Sequence, residues 1–309
     1  MLTAARCSRL VLMARLFDID ATPDSGSDEA NGPQTSPATP RREPRDKESF
    51  SIAEEKRRTF WLAYCLDCFL YSRNGYPPAI QEEMIYTQLP APEANFQNNQ
   101  PIRTPFLADV LTATTTDGYS TPTPLSSFAE CVVLATLYAQ CSSYRRSRTA
   151  ERPGSSRGDF WPRLKHLTTV TNTRIKVLEA NPANNDSDPT LLFAHMLARG
   201  AIIKLGQAAT SEPARTPAEQ QQQQQHKSSA VAAAAEIVWL TRQIPPFSCF
   251  RVHPFLPDPL ACAIGFFNAE RATSTASLPD AEDVAHLLRV LKDLQGMRSL
   301  AQEQPCKVF

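Results

Sequence analysis

No run of 18 apolar residues occurs in the 309-residue chain, so no membrane-spanning helix is expected. Charge of one sign is lacking too. The 32 basic residues match 32 acidic ones, and a formally neutral chain has no overall electrostatic footprint for nucleic acid. Contact with DNA would need a local patch or another module. Glycine is scarce, at 10, whereas proline reaches 26, a balance that suits helices joined by stiff, irregular connections. There is no secretory signal and no dense cysteine framework. The eight cysteines, at 7, 65, 68, 131, 141, 249, 262 and 306, are scattered and mostly sit in apolar stretches, as reduced thiols of an intracellular protein would. The G-x-S-x-G, H-E-x-x-H, phosphate-loop and dinucleotide fingerprints are all missing, which lowers the expectation of an enzyme.

What is present reads as helix after helix. Residues 20–48 are rich in Pro, Ser, Asp and Gly and read as a disordered linker. Ser51-x-x-Glu54 has the form of a capping box opening a helix to about Ser72, where Asn74-Gly75 supplies a left-handed stop and Pro77-Pro78 prevents resumption. A second such box, Ser127-x-x-Glu130, opens a helix with Phe128, Cys131, Val132, Ala135 and Tyr138 on one face. Residues 145–158 read as a loop, and the next helix starts near Asp159 with Pro162 tolerated in its first turn. Residues 189–208 form a further apolar helix. The Gln run ending at Gln225 is low in complexity and reads as an insertion near 211–228, followed by a helix in "AVAAAAEIVWLTRQI". The last helix carries Val284, Leu287, Leu288, Leu291, Leu294, Met297 and Leu300 at helical spacing. The expected fold class is all-α, an irregular domain of about seven to nine helices.

Few residues invite a chemical reading. Cys65 and Cys68 form a C-x-x-C inside an apolar helix. A zinc site needs four ligands and a redox pair needs a helix N-terminus, so the pair reads as small core residues. Asp67 lies among apolar neighbours and must be paired or neutralised, with Arg58 and Arg73 as candidate partners. The five histidines, at 166, 195, 226, 253 and 286, are isolated. His195 reads as a hydrogen-bonded core residue and His226 as solvated. No residue is assigned a catalytic, cofactor-binding or metal-ligating role. The basic stretches at 40–47 and Arg145-Arg146-x-Arg148 can serve nuclear import or be solvated, and neither is dense enough to read DNA.

The segment "EEKRRTFWLAYCLDCFLYSRNGYPPAI" followed by "LPAPEANFQ" resembles the fungal-specific transcription factor domain, the middle homology region found downstream of six-cysteine binuclear zinc clusters. The matching features are Arg57-Arg58-x-Phe60-Trp61, Leu66-Asp67, Gly75-x-Pro77-Pro78-Ala79-Ile80 and Leu89-Pro90. The resemblance continues through "DFWPRL", "DPTLLFAHMLARGAIIKL" and "FRVHPFLPDPL", and so covers about 48–304. The opening "AARCSRLVLMARLFDID" resembles the helix that precedes this signature. Its Arg-rich, acid-poor composition also fits a mitochondrial presequence. The domain reading is therefore a partial helix at 1–19, a linker at 20–48 and the regulatory domain at 49–304.

The resemblance implies a nuclear, non-enzymatic regulator of RNA polymerase II genes, nearest to regulators tied to secondary-metabolite gene clusters. It also implies dimerisation with itself or a full-length relative, coregulator contacts and a small-molecule effector as candidate partners, with no membrane. The sequence departs from the family at Cys68, where Arg is frequent, so the C-x-x-C arises by substitution. It also has no six-cysteine module, so zinc is expected only in an N-terminal cluster outside this sequence, and DNA contact only indirectly or through that module. Two other readings remain: a stand-alone helical small-molecule-binding protein or biosynthetic enzyme, and an inhibitory truncated paralogue.

Overall fold

A computed structural model describes residues 49–75, 78–116, 125–147, 160–180, 188–244, 252–273 and 281–302, with side chains except at 113–116, 145–147, 281 and 295–302. The expectations for 1–19, the 20–48 linker and the basic stretch at 40–47 lie outside these residues. So do most of the 145–158 loop and the side chains of Arg145, Arg146 and Arg148. Among the described residues there are nine α-helices: α1 (Phe50–Asn74), α2 (Glu93–Gln97), α3 (Leu107–Thr116), α4 (Ser127–Ser147), α5 (Phe160–Ala180), α6 (Pro189–Ser211), α7 (Pro217–Arg242), α8 (Pro257–Thr273) and α9 (Ala281–Gln302). A single 3-10 turn at Glu82–Met84 joins them, and the only extended pairing described is an isolated antiparallel bridge between Gln88 and Phe106. The all-α expectation and the helix count hold. No described helix is long and apolar enough to cross a membrane.

α6 is the centre. Its residues from Leu191 to Ile203 are buried without interruption, and α4, α5, α7 and α8 pack around it. Asp188 caps its start, accepting from the amides of Thr190 at 2.9 Å and Leu191 at 3.3 Å, with Pro189 in the first turn where no amide is needed. Gly206 sets the distance to α7. A Cβ there would stand 2.5 Å from the Ala230 Cβ and 2.9 Å from the His226 carbonyl oxygen, so the two backbones approach where no side chain fits.

The helix starts differ from the sequence reading. Neither Ser51–Glu54 nor Ser127–Glu130 is a capping box. α1 begins at Phe50, and its first-turn amide at Ser51 donates 2.9 Å to Oδ1 of Asn99, a residue 48 positions away held in the left-handed region at φ 51°. Both serine hydroxyls, Ser49 and Ser51, donate to the same oxygen. At α4 the cap is Ser126, whose Oγ accepts from the Ala129 amide at 3.3 Å. Glu54 and Glu130 instead point into the core toward arginines. Thr216 and Glu219 do form a reciprocal capping box, opening α7 with Pro217 at its first position.

The Gln run is therefore part of a helix. It continues without a break into the predicted "AVAAAAEIVWL" helix to make α7. Gln223 within it is a tether: its side-chain amide donates to the carbonyls of Ala209 and Glu212, each at 3.0 Å, and of Thr210 at 3.3 Å, all at the end of α6. α1 ends as expected to within two residues. Gly75, at φ 76°, donates its amide to Tyr71 O at 2.9 Å.

Candidate functional site

The pattern of residues over 54–99 has a spatial cause. The chain from Ile80 to Asn99 runs back along α1, and side chains of α1 hold it at intervals. Nearest the helix C-terminus, the Asp67 carboxylate accepts from the Ile80 amide at 3.0 Å and also from the Ala79 amide. One and a half turns earlier, Trp61 Nε1 donates 2.7 Å to the Gln88 carbonyl. Arg58 then donates 3.1 Å to the Ala91 carbonyl and 2.5 Å to Glu93 Oε2, with its guanidinium 4.3 Å from the Phe96 ring centre. Fully buried Glu54 accepts from the Ala91 amide at 2.8 Å and binds both Arg57 and Arg58. The result is an antiparallel ladder of side chain to backbone bonds that fixes the returning segment where it is buried, at Ile80 and around Leu89–Ala91.

Asp67 is thus not ion-paired with Arg58 or Arg73. Arg58 serves Glu54 and Glu93, and Arg73 serves Asp258 across the molecule. A carboxylate at this place is supplied by backbone N–H groups because the returning turn offers donors where no cation reaches. Burial pushes its pKa up, while the two amides pull it down. Cys65 and Cys68 are buried on the core side of α1, and burial pushes both thiols well above their usual range, so neither is a ready thiolate. Among the described residues no cluster of three His, Cys, Asp or Glu side chains could hold a metal.

The histidines separate. His195 is buried, with Nδ1 3.2 Å from Arg199 Nη1, and burial together with that cation lowers its pKa to about 4. Arg199 itself bridges Glu179 at 2.7 Å and Glu236 at 2.6 Å, so His195 is a neutral acceptor in an ion-pair cluster, as a hydrogen-bonded core residue should be. His253 stacks on Phe193 with ring centres 3.9 Å apart, and burial lowers it to about 4. His166 is exposed. His226, expected in solvent, is half-buried against α6, and burial lowers its pKa.

A concave feature of the described residues lies away from the ladder and the histidines. A cleft of about 620 Å³ opens where the end of α1 meets α4, α6, α8 and α9. Its polar side carries Ser72, Arg73, Tyr138, Lys204, Gln207 and Asp258. Arg73 Nε donates 3.1 Å to Asp258 Oδ1, fixing the start of α8 to the end of α1. Lys204 Nζ stands 4.4 Å from the Tyr138 ring centre, a cation held over an aromatic face. The opposite wall is apolar: Ala261, Gly265 and Ala269 along one face of α8, with Leu291 and Leu294 from α9. The expected stripe of α9 therefore divides. Val284 and Leu287 enter the core, Leu291 and Leu294 line the cleft, and Leu288 is 40% exposed.

Sequence reasoning named Arg73 only as a partner for Asp67 and passed over Tyr138 and Lys204 as cleft residues. One signal was available: Lys204 is one of two cations, with Arg199, inside "ARGAIIKLGQAA", an otherwise largely apolar helix.

Comparison with known proteins agrees with the sequence signature. The fungal specific transcription factor domain matches residues 25–152. A transcription factor of Aspergillus terreus is 42% identical over 98% of this chain and 48% of its own length. The asperfuranone cluster transcription factor of Emericella nidulans is 39% identical over 98% of this chain and 48% of its own. The pigment biosynthesis transcriptional activator of Monascus ruber is 34% identical over 97% of this chain and 51% of its own. The chain spans about half the length of the curated relatives it matches. No solved structure matches. The side-chain ladder of α1 falls wholly inside the segment that the fungal specific transcription factor domain matches.

Proposed function

We propose that this chain works as the regulatory part of a nuclear transcription regulator that controls a secondary-metabolite gene cluster transcribed by RNA polymerase II. The observation that carries this reading is the similarity, over nearly the whole chain, to proteins named as cluster transcription factors and biosynthetic activators. The charge arrangement supports a regulatory rather than a DNA-reading role. Arg57, Arg58, Arg174 and Arg199, with side chains at most 19% exposed, are engaged with carboxylates of the same chain, whereas phosphate binding needs cations turned outward. Residues 49–304 would then hold coregulators, a second copy or an effector, and carry out no chemistry themselves.

The test is transcript measurement after deletion and after overexpression of the gene. Biosynthetic genes clustered beside it should move in opposite directions in the two strains, while genes elsewhere stay level. Unchanged cluster transcripts in both strains would overturn the proposal. A fluorescent fusion should concentrate in the nucleus, and retention in mitochondria would count against the regulator outright.

A further inference from the structure

We infer that the outward face of α5 docks the acidic segment Asp18–Glu29 of the same chain. The contact goes beyond the regulatory reading and does not rest on it.

The sequence sets the two signs apart. Five carboxylates, Asp18, Asp20, Asp24, Asp28 and Glu29, stand between Arg15 and Arg41 with no Lys or Arg among them. No other two successive cations enclose more than three carboxylates. The largest cationic run lies in α5. Arg163, Lys165, Arg174 and Lys176 stand between Asp159 and Glu179, and no other two successive acids enclose more than three cations. A formally neutral chain that separates its charges in this way carries both halves of an electrostatic contact.

The fold turns three of the four cations outward. Arg174 is buried against Glu130, and Glu179, the only carboxylate of α5, is taken by Arg199 at 2.7 Å. Arg163, Lys165, His166 and Lys176 are exposed, and among the described residues no carboxylate pairs with the three cations. Arg163 lies near the start of the helix with its guanidinium 5.8 Å from the Tyr144 ring centre. Lys165, Thr169, Asn172 and Lys176 follow one another at four, three and four residues, so they form one exposed row. The Thr169 hydroxyl donates back to the Lys165 carbonyl at 2.9 Å. The side-chain amide of Asn172 is thus the hydrogen-bonding group offered between the lysines.

Length and reach fit as well. The two lysines stand about 16 Å apart along the helix. Five residues of stretched chain span about 16–18 Å, so Asp24 and Glu29 can meet one lysine each. The chain from Glu29 to Ser49, at the start of α1, stretches to about 65 Å. A compact unit of about 250 residues has a radius of gyration of about 18 Å, so the α5 face lies within that reach. Exposed ion pairs are weak singly. Tethering raises the local concentration of the segment to about millimolar, so several such pairs hold together where free peptides would part. Lying there, the segment withholds these cations from other polyanions.

The test uses the purified full chain. A zero-length carbodiimide cross-linker at low protein concentration should join Lys165 or Lys176 to a carboxylate between Asp18 and Glu29 within one monomer, as read by peptide mass spectrometry. Salt at about 1 M, which screens exposed charges beyond about 3 Å, should remove the link. Links found only in a dimer band that fades on dilution would make the occupant a second copy and overturn the inference. So would the absence of links from these lysines. Heparin supplies the second readout. Replacing Asp18, Asp20, Asp24 and Asp28 by Asn and Glu29 by Gln should tighten heparin about five- to tenfold, the worth of two or three exposed pairs. In a Lys165→Gln, Lys176→Gln background that gain should shrink to under about twofold. An equal gain in both backgrounds would reflect net charge alone and overturns the contact. A mixed-sequence DNA duplex bound by the unaltered chain, and lost with the two lysines, would place phosphate on an open face and overturn it too.

Discussion

α1 and α6 are both buried on most sides, but they hold their neighbours by different means. α1 reaches out with Glu54, Arg58, Trp61 and Asp67, each bonded to a particular backbone group between Ala79 and Glu93 or to a charge beside one. α6 meets α7 where Gly206 removes a side chain and Ala230 moves in. The first arrangement depends on direction and identity, because a hydrogen-bond donor must find its acceptor. The second depends on volume, and several apolar residues of the right size fill it. This is the physical reason why the 57–90 segment reads as a signature while the 189–208 segment reads only as an apolar helix.

The contrast can be broken by mutation. The largest loss is expected where a buried charge is stranded. Arg174→Met leaves the buried Glu130 without its cation, with only its backbone bond at Leu125, and should cost about 3–5 kcal/mol in chemical denaturation; adding Glu130→Gln should recover much of it. If the single change costs under about 1 kcal/mol, buried polar contacts are not what holds these helices. Next is the volume test in α6. Gly206→Leu forces α7 outward and should cost about 1–3 kcal/mol or more, seen as a lower melting temperature.

Asp67 separates charge from hydrogen bonding. Asp67→Ala orphans the Ile80 and Ala79 amides and should cost about 1–3 kcal/mol. Asp67→Asn keeps an acceptor and removes a buried charge, so it should stay close to the unaltered protein at pH 7. Equal losses in the two variants would mean that the charge itself is needed.

The pH dependence is expected to come from histidine. The folded pKa of His253, about 4, lies below its ordinary value of about 6.5. Its neutral form is favoured by folding, so the contribution is full above about pH 6.5 and is lost as pH falls toward 4. Asp67, Glu82 and Glu130, pushed up by burial, act in the opposite sense, with a contribution present at low pH and lost as pH rises through their folded values. The melting temperature should fall from pH 7 to pH 5. His253→Phe, which keeps a ring against Phe193, should flatten that fall. The smallest effect belongs to Glu93, whose side chain is 60% exposed. Glu93→Gln should change stability by less than about 0.5 kcal/mol despite its bond to Arg58.

The two misread capping boxes show where legibility stops. Serine followed three residues later by glutamate has one local meaning, an N-cap, and a helix indeed starts beside both pairs. Whether the glutamate bends back or points inward depends on a cation brought by another element, and for Glu130 that cation is Arg174, 44 residues on. The box that does form, Thr216 to Glu219, stood directly before a Gln run whose low complexity masked a helix. Asp67 was legible as a buried acid needing a partner. That its partners are backbone amides was not, because amides carry no letter in the sequence.

The sequence by itself determined that this protein is all-helical, where α1 stops, that Cys65 and Cys68 are core residues, and which family signature it bears. Each follows from local propensity, periodicity or a run of identities within one segment. Only the tertiary structure decided which acids meet which arginines, that Gln223 ties α7 to the end of α6, and that Tyr138, Lys204 and Gly265 border one cleft. Apart from the Glu54 pairs within α1, those facts join residues from 11 to more than a hundred positions apart, and their relative placement comes from helix packing.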